Sequence, residues 1–411
     1  MHVTAAAQEV QKVADQTAMV GMDSPFPPAG AAAKPSAERL EGIDGLRAFA
    51  ALWVVLFHIH AFSGEQLPGI GLVLRSGSTG VSLFLILSGL CLYLPFAGGR
   101  DGLFRTGGFF ARRCRRLMPA YYTALIFSTL LAIAFSAAPR HVPLTPGALA
   151  GNLMAHLTLT QTLFPETFYG LNGAYWSLGL EWQLYLGLPL LIWGIRRYGI
   201  VPVVSLAVIV NILYRIGLFV AVQRGVIPAE SALATAVLPN QFFGRCAEFA
   251  FGMVVAELFV RGHLERFAPY CGLALVVLVP LSLLSTALPV SHLLFGLTFS
   301  CLVCLVLSGG NVVSRAFSWR PLVLLGVMSY SIYLVHEPIV EGMAFVLRSD
   351  LGISPVQTFL WLLLLLPVVL LLAWALFMTV ERRTIHASQA ALLSPRTWFT
   401  TWQIPKWARH S

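Results

Sequence analysis

Long apolar runs recur along this chain from Gly42 onwards, each long enough to carry an α-helix across a hydrocarbon core and each closed by a short polar stretch. On hydropathy they predict about ten spans: Gly42 to Phe62, Gly80 to Phe96, Pro119 to Ala137, Ala174 to Gly194, Ile200 to Val222, Gln241 to Val260, Pro269 to Leu288, His292 to Leu307, Leu322 to Leu347 and Val356 to Val380. Leu149 to Phe164 carries Asn152, His156, Thr158, Thr160 and Gln161 and reads instead as a loop or interfacial segment. The expected fold class is all-α, a polytopic transmembrane helix bundle over residues 42–383. Residues 1–41, where Ala, Pro, Gln and Ser mix with Lys12, Asp15 and Lys34, lack the apolar stretch of a signal peptide and read as a disordered cytoplasmic tail. Residues 384–411 read as a second cytoplasmic tail.

Composition agrees: 11% of residues are charged, 57% are hydrophobic, and the mean hydropathy is +0.77. The charge also orients the chain. Arg100, Arg105, Arg112, Arg113, Arg115 and Arg116, then Arg196 and Arg197, Arg261 and Arg266, and Arg315 and Arg320 fall in one set of alternate loops, and the C-terminal tail adds Arg382, Arg383, Arg396, Lys406 and Arg409. The opposite loops hold Arg75, Arg140, Arg224 and Arg348, one each. By the positive-inside rule both termini are cytoplasmic. The net charge of +9 is then a topology signal that calls for no nucleic-acid partner. Cysteines avoid the outer loops, and the pair Cys301 and Cys304 has no second ligand pair, so the sequence points to no metal.

Ionisable groups inside apolar spans are costly, and four sets stand out. In the first span Arg47 and His58, eleven residues apart, return to nearly the same helical face, separated by roughly 16 Å of rise, while His60 points away. Four arginines stand at the entrance of the third span in Phe109-Phe-Ala-Arg-Arg-Cys-Arg-Arg-Leu-Met-Pro119, with Arg113 and Arg116 on one face. They suit forked hydrogen bonds to phosphate, or a positive-inside anchor on lipid head groups. The fourth span aligns Ser177, Glu181 and Tyr185 in one stripe. Taken from the outer helix ends, Glu181 and His58 have similar depths, so they are expected either to meet in one cavity, where the carboxylate would orient the imidazole, or to be structural links between helices. The ninth span carries Ser329, Tyr333 and His336 on one stripe and Tyr330, Glu337 and Glu341 on its neighbour. Arg245 and Glu248, one turn apart in the sixth, suit a local pair that neutralises itself. Glu381 ends the last span beside Arg382 and Arg383, where a charge can snorkel to the boundary.

Taken in order, these segments resemble the membrane acyltransferase 3 family, integral-membrane O-acyltransferases that modify sugars of lipopolysaccharide, exopolysaccharide, nodulation factors and macrolides. The matching pieces are Gly42-Ile-Asp-Gly-Leu-Arg47 with His58, Gly80-Val-Ser-Leu-Phe-Leu-Ile-Leu-Ser-Gly89, Arg113 and Arg116 with Pro119, Trp176-Ser-Leu with Glu181, Arg245 through Gly252, and Ser329-Tyr-Ser-Ile-Tyr-Leu-Val-His336. The resemblance implies that His58 is the catalytic base, that Arg47 serves the same site, and that Arg113 and Arg116 receive the coenzyme A end of an acyl-CoA donor. Many members carry a second carboxylate directly after the matched one, where this chain has Trp182.

The expected activity is transfer of an acyl group, acetyl or short-chain, from cytosolic acyl-CoA to a hydroxyl of a glycan, glycolipid or glycoside, in the bilayer of the cell membrane. A thioester is already activated, so the reaction chiefly lacks a base for the hydroxyl proton. His58 is the candidate, assisted by Glu181 or Asp44, with Ser177, Tyr333, His336 and Arg245 as candidates for an acceptor or oxyanion site. The rival reading is a transporter or flippase whose intramembrane His, Arg and Glu residues form a polar pathway; the lack of internal repeats and the arginines gathered at one mouth speak against it.

Overall fold

The computed structural model describes residues 37–384 except 65–66, 68, 99–105, 135–144, 286–287 and 290. Most of both expected tails, together with Arg100, Arg105 and Arg140, lies outside the described residues. The apolar runs all become helix, since only intrahelical bonding satisfies backbone groups along a segment without water. The helices are α1 (Ala37–Ser63), α2 (Gly80–Ala97), α3 (Thr106–Ala134), α4 (Pro146–Leu157), α5 (Trp176–Tyr198), α6 (Ile200–Gln223), α7 (Phe242–Val260), α8 (Leu264–Leu284), α9 (Ser291–Ser308), α10 (Arg320–Val327), α11 (Ser329–Phe345), α12 (Pro355–Leu364) and α13 (Leu366–Thr379). The first starts at Ala37, inside the segment expected to be tail.

Among the described residues eight helical stretches are long and apolar enough to cross a membrane, and nine if α10 and α11 count as one span, against the ten expected. The difference is α7. It is a helix of 19 residues, but it carries Arg245, Glu248 and Glu257, and most of its residues are buried against the rest of the bundle. The expected single span from Leu322 to Leu347 is broken: α10 and α11 meet at 74° around Met328. Leu149 to Phe164, expected as a loop or interfacial segment and not as a span, is mostly the helix α4 followed by a 3₁₀ turn, with Asn152, His156, Gln161 and Thr162 buried.

Two large apolar clusters, with a small third around Phe168, Ala236 and Val237, make up the interior among the described residues. One joins Leu46, Ala50 and Val54 of α1 to α2, α5, α7 and α9; the other joins Ala51, Val55 and Ile59 of α1 to α3, α11 and α13. Helix α1 therefore separates two cores, and Phe84 and Trp182 pack against both. By contrast α6 and α8 bury only 6% of their apolar windows, so their faces suit lipid. Glycines set the tightest approaches. A Cβ on Gly89 or Gly252 would run into the backbone of the facing helix, Phe249 of α7 or Ile86 of α2, and one on Gly326 would overlap the carbonyl of Asp44. Such close backbones are the usual means of helix association where lipid removes the hydrophobic drive.

Candidate active site

The cavity at the seam between the two cores encloses about 1080 Å³ of empty space, its mouth included. Arg47, Arg113 and Arg116 all line it, with Asp44, Glu181 and Glu381 as carboxylates and Ser88, Cys91, Ser177, Tyr185, Tyr330 and Tyr333 among the other polar groups. Of the four arginines opening α3, Arg112 and Arg115 are exposed while Arg113 and Arg116 turn inwards, as their spacing predicts. Arg113 stacks near Phe109 and Tyr185, 5.9 and 5.7 Å from the ring centres. Arg47 donates to Asp44 Oδ1 at 2.9 Å and to Cys91 Sγ at 3.5 Å, so a neighbour on its own helix and one on α2 fix its head. Glu181 accepts from Ser88 Oγ at 3.1 Å and from the Tyr185 hydroxyl. Trp182 packs edge-on against Phe110 and Tyr185.

Helix α11 carries the geometry from this cavity to the histidines. Tyr330 donates to the Leu117 carbonyl at 3.2 Å, and Ser331 donates to Glu381 at 2.5 Å. Glu381, expected to snorkel, is instead buried and faces the arginines. One turn on, Tyr333 donates to the Ala174 carbonyl at 2.8 Å and lies 2.6 Å from Ser177 Oγ. Both hydroxyls are thus bonded to each other and to the Ala174 carbonyl. The Tyr333 ring meets Phe84 edge-on and lies 5.5 Å from the ring of His336, whose Nε2 stands 3.1 Å from His58 Nδ1.

His58 does not line the cavity that Glu181 lines, which corrects the expected meeting of the two. The depth argument placed the start of α5 at a membrane surface, whereas α5 begins inside the bundle. Asn172 caps the turn that leads into it by accepting from Ala174 N at 3.0 Å, and donates to the Leu334 carbonyl at 3.1 Å. The Gly173 N–H donates to Glu337 at 3.1 Å. Gly173, just ahead of α5, is thereby tied to the level of the histidines, and Glu181, eight residues further, lies roughly 12 Å along the axis towards the arginines.

Arg245 is held away from the cavity. It grips Glu248 with two bonds of 2.5 and 3.0 Å, donates to Asn240 and Ser82, and sits 5.9 Å from the Trp176 ring centre. That is the self-neutralising pair the spacing suggested. Polar cavity residues that sequence reasoning did not name as site members include Ser88, Cys91, Ser329, Tyr330 and Glu381. Glu381 carries a signal as an acid closing a highly apolar span, and Ser329 and Tyr330 as members of polar stripes.

A helical membrane bundle with a buried arginine cavity leading to a histidine pair is thus defined. The chain belongs to the acyltransferase domain family, whose match covers residues 40–378. Among its relatives are the Bacillus subtilis protein named putative peptidoglycan O-acetyltransferase YrhL, 27% identical over 73% of this chain and 48% of that protein, and the Streptomyces mycarofaciens acyltransferase MdmB, 27% identical over 77% and 83%. The peptidoglycan O-acetyltransferase OatA of Listeria monocytogenes is 24% identical over 74% of this chain and 50% of its own length. The chain spans about half the length of the peptidoglycan relatives it matches. No solved structure matches it.

Proposed function

We propose that this protein is a membrane-embedded O-acyltransferase that moves an acetyl or short acyl group from acyl-CoA to a hydroxyl of a glycan, glycolipid or glycoside, in the cell membrane. Relatives named for peptidoglycan O-acetylation and the acyltransferase MdmB support this reading. The observation that carries the reading is the arginine cavity whose wall includes Tyr333, which packs on His336, the ring that meets His58.

In this reading the arginine end faces the cytosol, by the positive-inside rule. Arg113 and Arg116 bind the phosphates of coenzyme A, where a planar fork holds better than a point charge. Arg47, fixed by Asp44 and Cys91, adds a third cation deeper in the cavity. Asp44, Glu181 and Glu381 in the same wall offset these cations. The pantetheine arm runs past Phe84 and Tyr333 to His58. There Nε2 takes the acceptor's hydroxyl proton as the oxygen attacks the thioester carbonyl. The C–O bond forms, the C–S bond breaks, and the proton passes from His58 to the departing thiolate. No covalent acyl-enzyme is needed.

Supplying labelled acetyl-CoA to membranes containing the protein, with peptidoglycan fragments and a macrolide glycoside offered separately, tests the proposal. Label entering a hydroxyl ester, and lost on His58→Ala, is the expected result. Movement of an unmodified glycoside across the bilayer with no ester formed would replace it with the transporter reading.

A further inference from the structure

The two histidines fix each other's protons through the backbone. His336 Nδ1 lies 2.7 Å from the Tyr333 carbonyl, and His58 Nδ1 lies 3.0 Å from the Val54 carbonyl. A carbonyl oxygen can only accept, so both Nδ1 atoms carry hydrogen. The opposite tautomers would set ring lone pairs against carbonyl lone pairs. A neutral His336 then has a bare Nε2, which faces His58 Nδ1 at 3.1 Å and accepts a share of the same N–H. What remains on His58 is Nε2, with its lone pair free and no hydrogen bond from any described residue. His336 is fully buried, His58 only partly, so the free nitrogen belongs to the accessible ring of the pair. Phe57 edge-on and Phe62 stacked hold the His58 ring from its own helix.

We propose that His336 is a positioning residue: it holds His58 as the Nδ1–H tautomer, so that Nε2 is the atom that takes the acceptor's proton. This rests on the reading of His58 as the base. As Nε2 gains a proton, the His58 Nδ1–H becomes part of a cation and its bond to His336 becomes charge-assisted and stronger. The stabilisation therefore appears when the proton moves, where it lowers the barrier instead of tightening substrate binding. A second imidazole in place of a carboxylate does this without burying a fixed charge in the bundle.

The test uses the full chain in lipid nanodiscs. His336→Leu removes the acceptor, whereas His336→Gln can bring an amide oxygen near the position of Nε2. The expected result is that the leucine variant loses roughly tenfold or more in kcat with donor KM unchanged, while glutamine recovers most of the loss. Full kcat in His336→Leu, with His58→Ala inactive, overturns the positioning role and leaves His58 as the base; an active His58→Ala overturns the base reading itself. Nitrogen-15 spectra of histidine-labelled wild-type protein decide the matter even where the leucine variant fails to fold. The ring signal missing from His58→Ala should be a neutral imidazole protonated at Nδ1 and bare at Nε2, and the reverse tautomer overturns the proposal.

Discussion

The arginine cavity and the histidine pair meet at one side chain, Tyr333, yet they are held by different forces. In the cavity the cations are oriented by other side chains: Arg47 by Asp44 and Cys91, Arg113 against Phe109 and Tyr185, with Glu181 and Glu381 in the same wall. At the pair neither ring makes an ion pair among the described residues, and the carbonyls of Val54 and Tyr333 do the orienting. A site that grips an anion needs charge left free enough to rearrange. A base needs the reverse, a neutral ring whose protonated nitrogen is already chosen. Side-chain partners suit the first and rigid helix carbonyls the second.

The sharpest way to break this contrast is at the base. His58→Ala should lower kcat by roughly 10²- to 10⁴-fold at matched protein level, the usual contribution of a positioned general base. His60→Ala should change transfer little, since that ring packs near Phe359 and Gly71, away from the pair. Equal losses in the two variants, measured by labelled acyl transfer, would remove the chemical distinction between them.

The buried pair of α7 comes next, and it reads out in stability. Glu248→Ala strands the buried Arg245 cation, which costs about 3–5 kcal/mol and should appear as a lower Tm of the purified protein. Donor KM of the folded fraction should not move. A normal Tm with transfer lost would return Arg245 to the reacting site.

At the cavity, a charge-assisted contact is worth about 1.5–3 kcal/mol, so Arg113→Ala or Arg116→Ala should raise donor KM roughly ten- to a hundredfold with acceptor KM nearly constant. Lysine at either position should recover part of this, keeping charge without the fork. Steady-state kinetics with donor and acceptor varied separately checks it, and an unchanged donor KM in the double alanine variant would make these arginines lipid anchors.

A structural histidine outside the spans calibrates the pair. His156 of α4 is fully buried, its Nδ1 donates to the Asn152 carbonyl at 2.8 Å, and burial lowers its pKa from 6.5 to about 4. The unfolded chain therefore takes up a proton first. Stability is complete above the unfolded value and falls as pH drops from 6.5 towards 4, by about 1.4 kcal/mol per unit at most. Thermal unfolding at pH 7.5 and 5.5 should show a smaller pH effect in His156→Gln than in wild type; equal effects would assign the slope to other groups.

The parts of the site legible in the sequence are those within one helix. Arg113 and Arg116 share an inward face because three residues make nearly a turn, and Arg245 pairs with Glu248 for the same reason. Spacing along one helix did not carry over to distance between helices. Glu181 and His58 look level only if every helix starts at a membrane surface, and α5 starts inside the bundle. Glu381 looks like a boundary charge until Ser331 is seen to hold it in the cavity.

The sequence by itself determined most of the long helices, the membrane class, the family and the faces on which ionisable residues stand, because these follow from local periodicity and from the cost of charge in hydrocarbon. Only the tertiary structure decided which faces meet. The bend at Met328 and the sunken start of α5 bring Ser331 to Glu381, Tyr333 to Ser177 and His336 to His58. Those contacts join residues from 50 to 278 positions apart, and their partners are set by helix packing, on which the hydrophobic period of any one segment is silent.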